Sequence, residues 1–168
     1  SVDISHTSAD EEAMSHELKK ISFDEDQYGV NLFIGKRGME KAFDDLLNNL
    51  KKWEEYHVFA LGEHLLKKDF LDFFSNYHKK RIKKQIKVRM ITSVDLAKPL
   101  ERIFDDNYKD VLVRYSSIKL PTGVFIAKDK VIFVVPGYPI IVFTVHCTKI
   151  AMEYQHFFEE IWENSLTR

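Results

Sequence analysis

The spacing of its apolar runs constrains this chain more than any other feature. Up to Glu101 each short run is followed by an amphipathic stretch long enough for a helix, whereas beyond Asp110 the runs follow one another with short connections. Residues 30–34 (Val-Asn-Leu-Phe-Ile) read as a buried strand, and Gly35-Lys36-Arg37-Gly38 turns the chain into a helix with Met39, Phe43, Leu46, Leu47 and Leu50 on its apolar side. Residues 56–61 form a second strand ending at Gly62, and Phe70, Phe73, Phe74 and Tyr77 mark the stripe of a second helix with lysines opposite. Ile86, Val88 and Met90 alternate with Lys87 and Arg89 in a third strand, after which Ser93 or Asp95 can cap a short helix holding Pro99. This alternation predicts parallel neighbours joined by right-handed crossovers.

The second half calls for antiparallel pairing. Residues 111–115, 123–127, 131–135 and 140–145 read as strands, with Asp129-Lys130 as a hairpin turn and Pro136-Gly137-Tyr138-Pro139 between the last two. A closing helix carries Ile150 or Ala151, Tyr154, Phe157, Phe158, Ile161 and Trp162 on a stripe wide enough to cover a sheet face. The expected fold class is α/β: a mixed, mainly parallel sheet with an antiparallel hairpin section and helices on both faces. Residues 1–27 are polar and acidic and read as a tail or the end of a connecting helix, leaving 28–168 as one domain.

Charge narrows the function. With 25 basic and 26 acidic residues the net charge is −1, so no global field draws the chain to nucleic acid or an anionic membrane. A lone cysteine, Cys147, cannot close an internal disulfide, and the sequence has no apolar run of membrane-spanning length; together these imply a reduced, cytoplasmic setting. Cys147 itself reads as a small buried residue. Neither Cys-x-x-Cys nor His-x-x-x-His occurs, so no metal or other cofactor is expected. In the basic run 78–84, Lys79, Lys80, Lys83 and Lys84 fall opposite the aromatic stripe and read as a solvated face. Gly35-Lys36-Arg37-Gly38 opens a helix with two cations beside it, which suits an anion, although it has neither the P-loop nor the dinucleotide-binding pattern.

Three phrases carry a resemblance: Phe33-Ile34-Gly35-Lys36-Arg37-Gly38, then Phe73-Phe74-x-x-Tyr77-His78-Lys79-Lys80-Arg81-Ile82-Lys83, then Tyr154-x-x-Phe157-Phe158-x-x-Ile161-Trp162. In this order they resemble the C-terminal effector domain of TrmB-type transcription regulators, which looks like one half of a phospholipase D. That enzyme class carries H-x-K-x-x-x-x-D on a strand leading into a hairpin turn. If Asp129 stands for its aspartate, Thr122 and Val124 occupy the histidine and lysine positions, and neither can serve as nucleophile or phosphate counter-charge. His78-x-Lys80 is a decoy, because Gln85 stands where the acid belongs.

The resemblance implies a sensor rather than an enzyme: a small metabolite such as a sugar bound without catalysis, a homodimer, no membrane, and DNA contact only through a helix-turn-helix module absent from this chain. Candidate ligand contacts are Lys36, Arg37, Glu63, His64, Ser93, Asp95, Thr122 and Tyr138. Two rival expectations are a phosphodiesterase or nuclease of the phospholipase D class, and a dimerisation module using the aromatic last helix, with Phe157, Phe158 and Trp162, as its interface.

Overall fold

The alternating and continuous apolar runs fold into seven strands that share one sheet, with helices on both faces. The computed structural model of the protein describes residues 28–101 and 108–167; the expected tail at 1–27 lies outside the described residues. The elements are β1 (Tyr28–Ile34), α1 (Gly35–Asn48), β2 (Glu55–Phe59), α2 (Lys68–Lys83), β3 (Lys87–Ser93), α3 (Ala97–Glu101), β4 (Val111–Ser116), β5 (Gly123–Ile126), β6 (Lys130–Val135), β7 (Ile141–Cys147) and α4 (Thr148–Glu163). One short 3-10 helix, Gly62–Leu66, follows β2 and another, Val94–Leu96, follows β3.

The sheet order is β1-β7-β6-β5-β2-β3-β4. Only β2–β3 and β3–β4 are parallel; the junctions β1–β7, β7–β6, β6–β5 and β5–β2 are antiparallel. This corrects the expected mainly parallel sheet. β1 runs in the same direction as β2, as a crossover through α1 requires, but the β5–β6–β7 meander is inserted between them. A helical connection fixes the direction of the next strand and leaves its neighbour open, so the short-linked meander could take the intervening places. A second correction follows. β1 is an edge strand and its Val30, Leu32 and Ile34 are exposed, where the apolar run had suggested a buried strand.

Side-chain alternation along the strands builds a core on each face. Tyr56 and Val58 of β2, Val88 and Met90 of β3, and Phe125 of β5 meet Met39, Phe43, Leu46 and Leu47 of α1 and Phe70, Phe74 and Tyr77 of α2. On the other face Phe59, Ile91, Val124, Ile126 and Val131 meet Ala151, Phe158 and Trp162 of α4. The aromatic stripe of α4 therefore covers its own sheet, which removes Phe158 and Trp162 from the expected dimer interface. Ala151, and not Ile150, is the buried start of that stripe.

Polar groups fasten α4 along its flank. Arg89 binds Glu55 at 2.7 Å, pairs with Glu159, and lies over the rings of Phe158 and Trp162 at 5.5 and 5.2 Å. His57 stacks on Phe158 with centroids 4.6 Å apart and hydrogen-bonds Gln155 at 2.7 Å. Burial alone would raise the Glu55 carboxyl; hydrogen bonds from His57 and Arg89 hold it below its ordinary value instead. The Arg89 hydrogen bond likewise lowers Glu159.

On the opposite face the basic run of α2 divides. Lys79, Lys80, Lys83 and Lys84 are exposed as expected, with Lys80 paired to Asp44 at 3.0 Å. Arg81 and His78 are buried. Arg81 donates from Nε to His78 Nδ1 at 3.0 Å, and from its two terminal nitrogens to the carbonyls of Ile86 and Lys109, both at 2.6 Å. The guanidinium thus ties the end of α2 to the starts of β3 and β4.

Burial, helped by the Arg81 charge, holds the His78 imidazole down at about 3. In the unfolded chain it takes up a proton near its ordinary value of 6.5, so the stability this depression represents is present above that pH and is lost as pH falls towards 3. His146, lowered by burial and by Lys130, contributes with the same sign. Urea midpoints are expected to drop between pH 7 and pH 5, before the carboxylates titrate. His78→Gln, which keeps an acceptor for Arg81 Nε, should flatten that slope; an unchanged slope would refute the assignment. Arg81→Met, which strands the buried Ile86 carbonyl and the part-buried Lys109 carbonyl, is expected to cost about 3 kcal/mol at pH 7 by the same unfolding measurement.

Candidate functional site

The sheet register brings every candidate contact to one end of the molecule. Ile34, Ile141 and Val135 lie abreast, Val134 faces Gly123, Val124 faces Phe59, and Ser93 faces Ser116, so the ends of β1, β2, β3, β4 and β6 share an edge with the starts of β5 and β7. Seven strands about 4.8 Å apart make that edge roughly 29 Å wide, so a common end is not a common site. Lys36 and Arg37 are exposed at the start of α1, beside the β1 edge, where the Gly35 amide donates to the Ile140 carbonyl at 2.7 Å. Tyr138 is fully exposed in the β6–β7 turn. Neither group lines a cavity with the other candidates.

Glu63, His64, Ser93 and Asp95 do come together. They line a cavity of about 240 Å³ at the carboxyl ends of β2 and β3, closed on its far side by Ile118, Lys119 and Leu120 of the loop between β4 and β5. Gly62 makes the turn out of β2 with φ +63, a conformation that any side chain would strain, and so swings His64 back over the strand ends. Gly123 is needed for a different reason: a Cβ there would meet Leu61 Cγ at 2.7 Å, so its absence lets β5 close against the same exit loop.

Ser93 ends β3 as the expected cap, its Oγ accepting from the Asp95 amide at 3.4 Å. Asp95 binds Lys119 at 2.8 Å across the mouth. The Lys119 hydrogen bond holds the Asp95 carboxyl below its usual range, and Asp95 raises Lys119 in return. Being exposed, this pair adds little to stability and mainly sets the charge pattern at the rim. Deeper in, the floor is Phe59, Ile91 and Leu96.

Two residues that line this cavity each hold a buried polar atom with no hydrogen-bond partner among the described residues: His64 Nδ1 and Thr92 Oγ1. Buried polar atoms are nearly always paired, so two such residues beside one cavity make it the candidate site. Spacing singled out His64 but not Thr92 or Lys119. A threonine within an apolar run reads as a strand former, and Lys119 lies in a loop that no periodicity ties to β3.

Thr122 lies apart, at the edge of an open apolar depression with Leu120, Pro121, Val124, Phe133, Glu153, Tyr154 and Phe157. Val124 is buried there on β5, which runs into the Asp129-Lys130 turn, closed by an Ala127 amide to Lys130 carbonyl bond of 2.9 Å. A strand does run into a hairpin here, with Thr122 just ahead of β5 and Val124 buried within it.

A sheet of this order, sandwiched by helices with such a hairpin strand near its middle, defines the phospholipase-D-like α/β fold. No protein-family model matches the sequence, and no curated protein does. Solved structures do: TrmBL2, an archaeal chromatin protein with a novel mode of DNA binding, superposes with a TM-score of 0.56 at 15% identity over 95% of this chain and 62% of that one. Nuc, a phospholipase D family member from Salmonella typhimurium, gives 0.56 at 9% identity over 83% of this chain and 97% of its own. NucT from Helicobacter pylori gives 0.55 at 10%, over 84% and 100%. The likeness establishes the fold and bears out the resemblance to a phospholipase-D-like domain of TrmB-type proteins; the chain spans under two thirds of the length of TrmBL2. Among the described residues no helix is long and apolar enough to cross a membrane.

The orphan hydroxyl carries a prediction. Thr92→Val removes a buried, unpaired polar atom at nearly constant shape, so it should stabilise the ligand-free protein by about 1 kcal/mol, read as a higher denaturant midpoint. A loss of stability would show that Thr92 Oγ1 has a partner in solution.

Proposed function

We propose that this chain is a ligand-sensing regulatory domain that binds a small polar metabolite, without catalysis, at the carboxyl ends of β2 and β3. His64 and Thr92, two residues of one cavity that each hold a buried polar atom without a partner, carry this reading. A hydroxylated metabolite such as a sugar could satisfy both atoms, with Ser93, Asp95 and Lys119 at the mouth to orient its polar groups and Phe59 and Ile91 to receive its apolar face. Occupancy would join the exits of β2 and β3 to the 118–120 loop, and a ligand that prefers the joined arrangement shifts the population towards it. The likeness to TrmBL2, a DNA-binding chromatin protein, supports a regulatory setting in which a helix-turn-helix module outside the described domain reads DNA.

Chemistry at the phospholipase position is disfavoured by the side chains there. Val124 is buried against apolar neighbours and Thr122 has neither the basicity nor the charge that phosphoryl transfer requires. A generic phosphodiester such as bis(p-nitrophenyl) phosphate is expected to remain uncleaved, and turnover abolished by Thr122→Ala would overturn the non-catalytic reading.

The ligand test is a thermal-shift screen against sugars, nucleotides, amino acids and phosphorylated metabolites. A ligand at a hundred times its Kd adds about 2.7 kcal/mol to native stability, which is ample to see. A saturable, selective rise in melting temperature is expected, lost in Thr92→Val and in His64→Leu and kept in Tyr138→Ala. No rise with any compound, or one indifferent to His64 and Thr92, would refute the site.

A further inference from the structure

β1 and β7 form the part of the sheet that α4 does not cover. Along β1 the side chains facing that way are Tyr28, Val30, Leu32 and Ile34, exposed by 57, 67, 55 and 59%, and Phe143 of β7 beside Leu32 is exposed by 37%. The opposite edge is treated differently: Trp162 covers Arg114 of β4, and Leu166 forms a bridge with Tyr115, leaving Leu112 as the exposed apolar residue of that strand. Each half-exposed side chain of the β1–β7 strip leaves on the order of 100 Å² in water. The strip therefore amounts to roughly 500 Å², at the upper end of what a monomer leaves exposed.

We propose that this strip is an interface at which a second copy of the chain packs face to face across a two-fold axis. Three observations favour that occupant. A specific interface takes about 800 Å² from each partner, about 65% of it apolar in homodimers, which is the size of this strip plus a polar rim. The strip contains no charged side chain: β1 reads Tyr-Gly-Val-Asn-Leu-Phe-Ile, and the apolar ring of Phe143 continues it. An isologous contact sets a patch against itself, so it requires a surface without like charges, while a charged peptide would find nothing here to recognise. Finally, pairing of two β1 edges side by side would leave the same side chains in water, and only packing face to face removes them.

The interface is independent of the metabolite cavity, which opens at the ends of β2 and β3. Sedimentation velocity of the whole chain over a wide concentration series tests it. The wild type is expected to sediment as a dimer. Leu32→Glu should sediment as a monomer at concentrations where the wild type is dimeric, with its melting temperature no lower than that of diluted wild type. Leu112→Glu, equally exposed on the opposite edge, and Thr92→Val should remain dimeric. If Leu32→Glu disturbs folding, Leu32→Asn, close to isosteric and uncharged, gives the same reading. A wild-type chain that stays monomeric, as it would if residues 1–27 occupied the strip, overturns the proposal. So does a dimer that survives both Leu32 variants, or one that Leu112→Glu disrupts as readily.

Discussion

The ring of Phe43 is the point on which the arrangement of helices turns. It meets Phe125 edge-on at 4.8 Å, Tyr77 at 5.2 Å, Phe74 at 5.5 Å and Phe73 at 5.6 Å, and is fully buried. One side chain of α1 thereby touches α2 and β5 together. α1 leaves from the β1 edge and lies against β1 and β7, and the Phe43 ring extends its contact inward to β5. Edge-to-face aromatic contacts of this kind add to simple area burial and favour one geometry over others, so they specify as well as stabilise.

The two faces of the sheet are secured by different physics. On the α1–α2 face the contacts are aromatic and aliphatic, and the Tyr56–Tyr77 hydroxyl pair at 2.8 Å and Arg81 with its carbonyls are hydrogen-bonded within the protein. On the α4 face a polar set at the start of β2 and β3, Glu55, His57 and Arg89, engages Gln155 and Glu159 while the Arg89 guanidinium lies over two rings of the same helix. Satisfied networks of this sort fix a helix in one register. Against that background the unpaired atoms of His64 and Thr92 stand out, because both residues line one cavity.

Much of the secondary structure was legible from the chain alone. Each of the seven apolar runs became a strand, because period-two or continuous apolar character at that length suits a sheet, and the stripe of α4 was read correctly, with Ala151 the buried one of its two possible starts. Of the candidate contacts, Glu63, His64, Ser93 and Asp95 were reachable by the rule that open sheets build sites at the carboxyl ends of parallel strands. Lys36, Arg37 and Tyr138 satisfy the same rule by position yet stand at the far side of the sheet, since the rule says nothing about which strands are neighbours. Thr92 carried no signal, because an unpaired hydroxyl looks no different in sequence from a paired one.

The sequence by itself determined the elements and the direction of their chain connections, because periodicity and residue chemistry are local properties. Only the tertiary structure decided that β5, β6 and β7 separate β1 from β2, that an apolar run expected in the core became an exposed edge, and that Arg81 is buried while its lysine neighbours are not. Those outcomes depend on contacts between residues distant in the chain. Strand adjacency is chosen by which apolar faces can be covered together, and a side chain's exposure by what that choice leaves beside it.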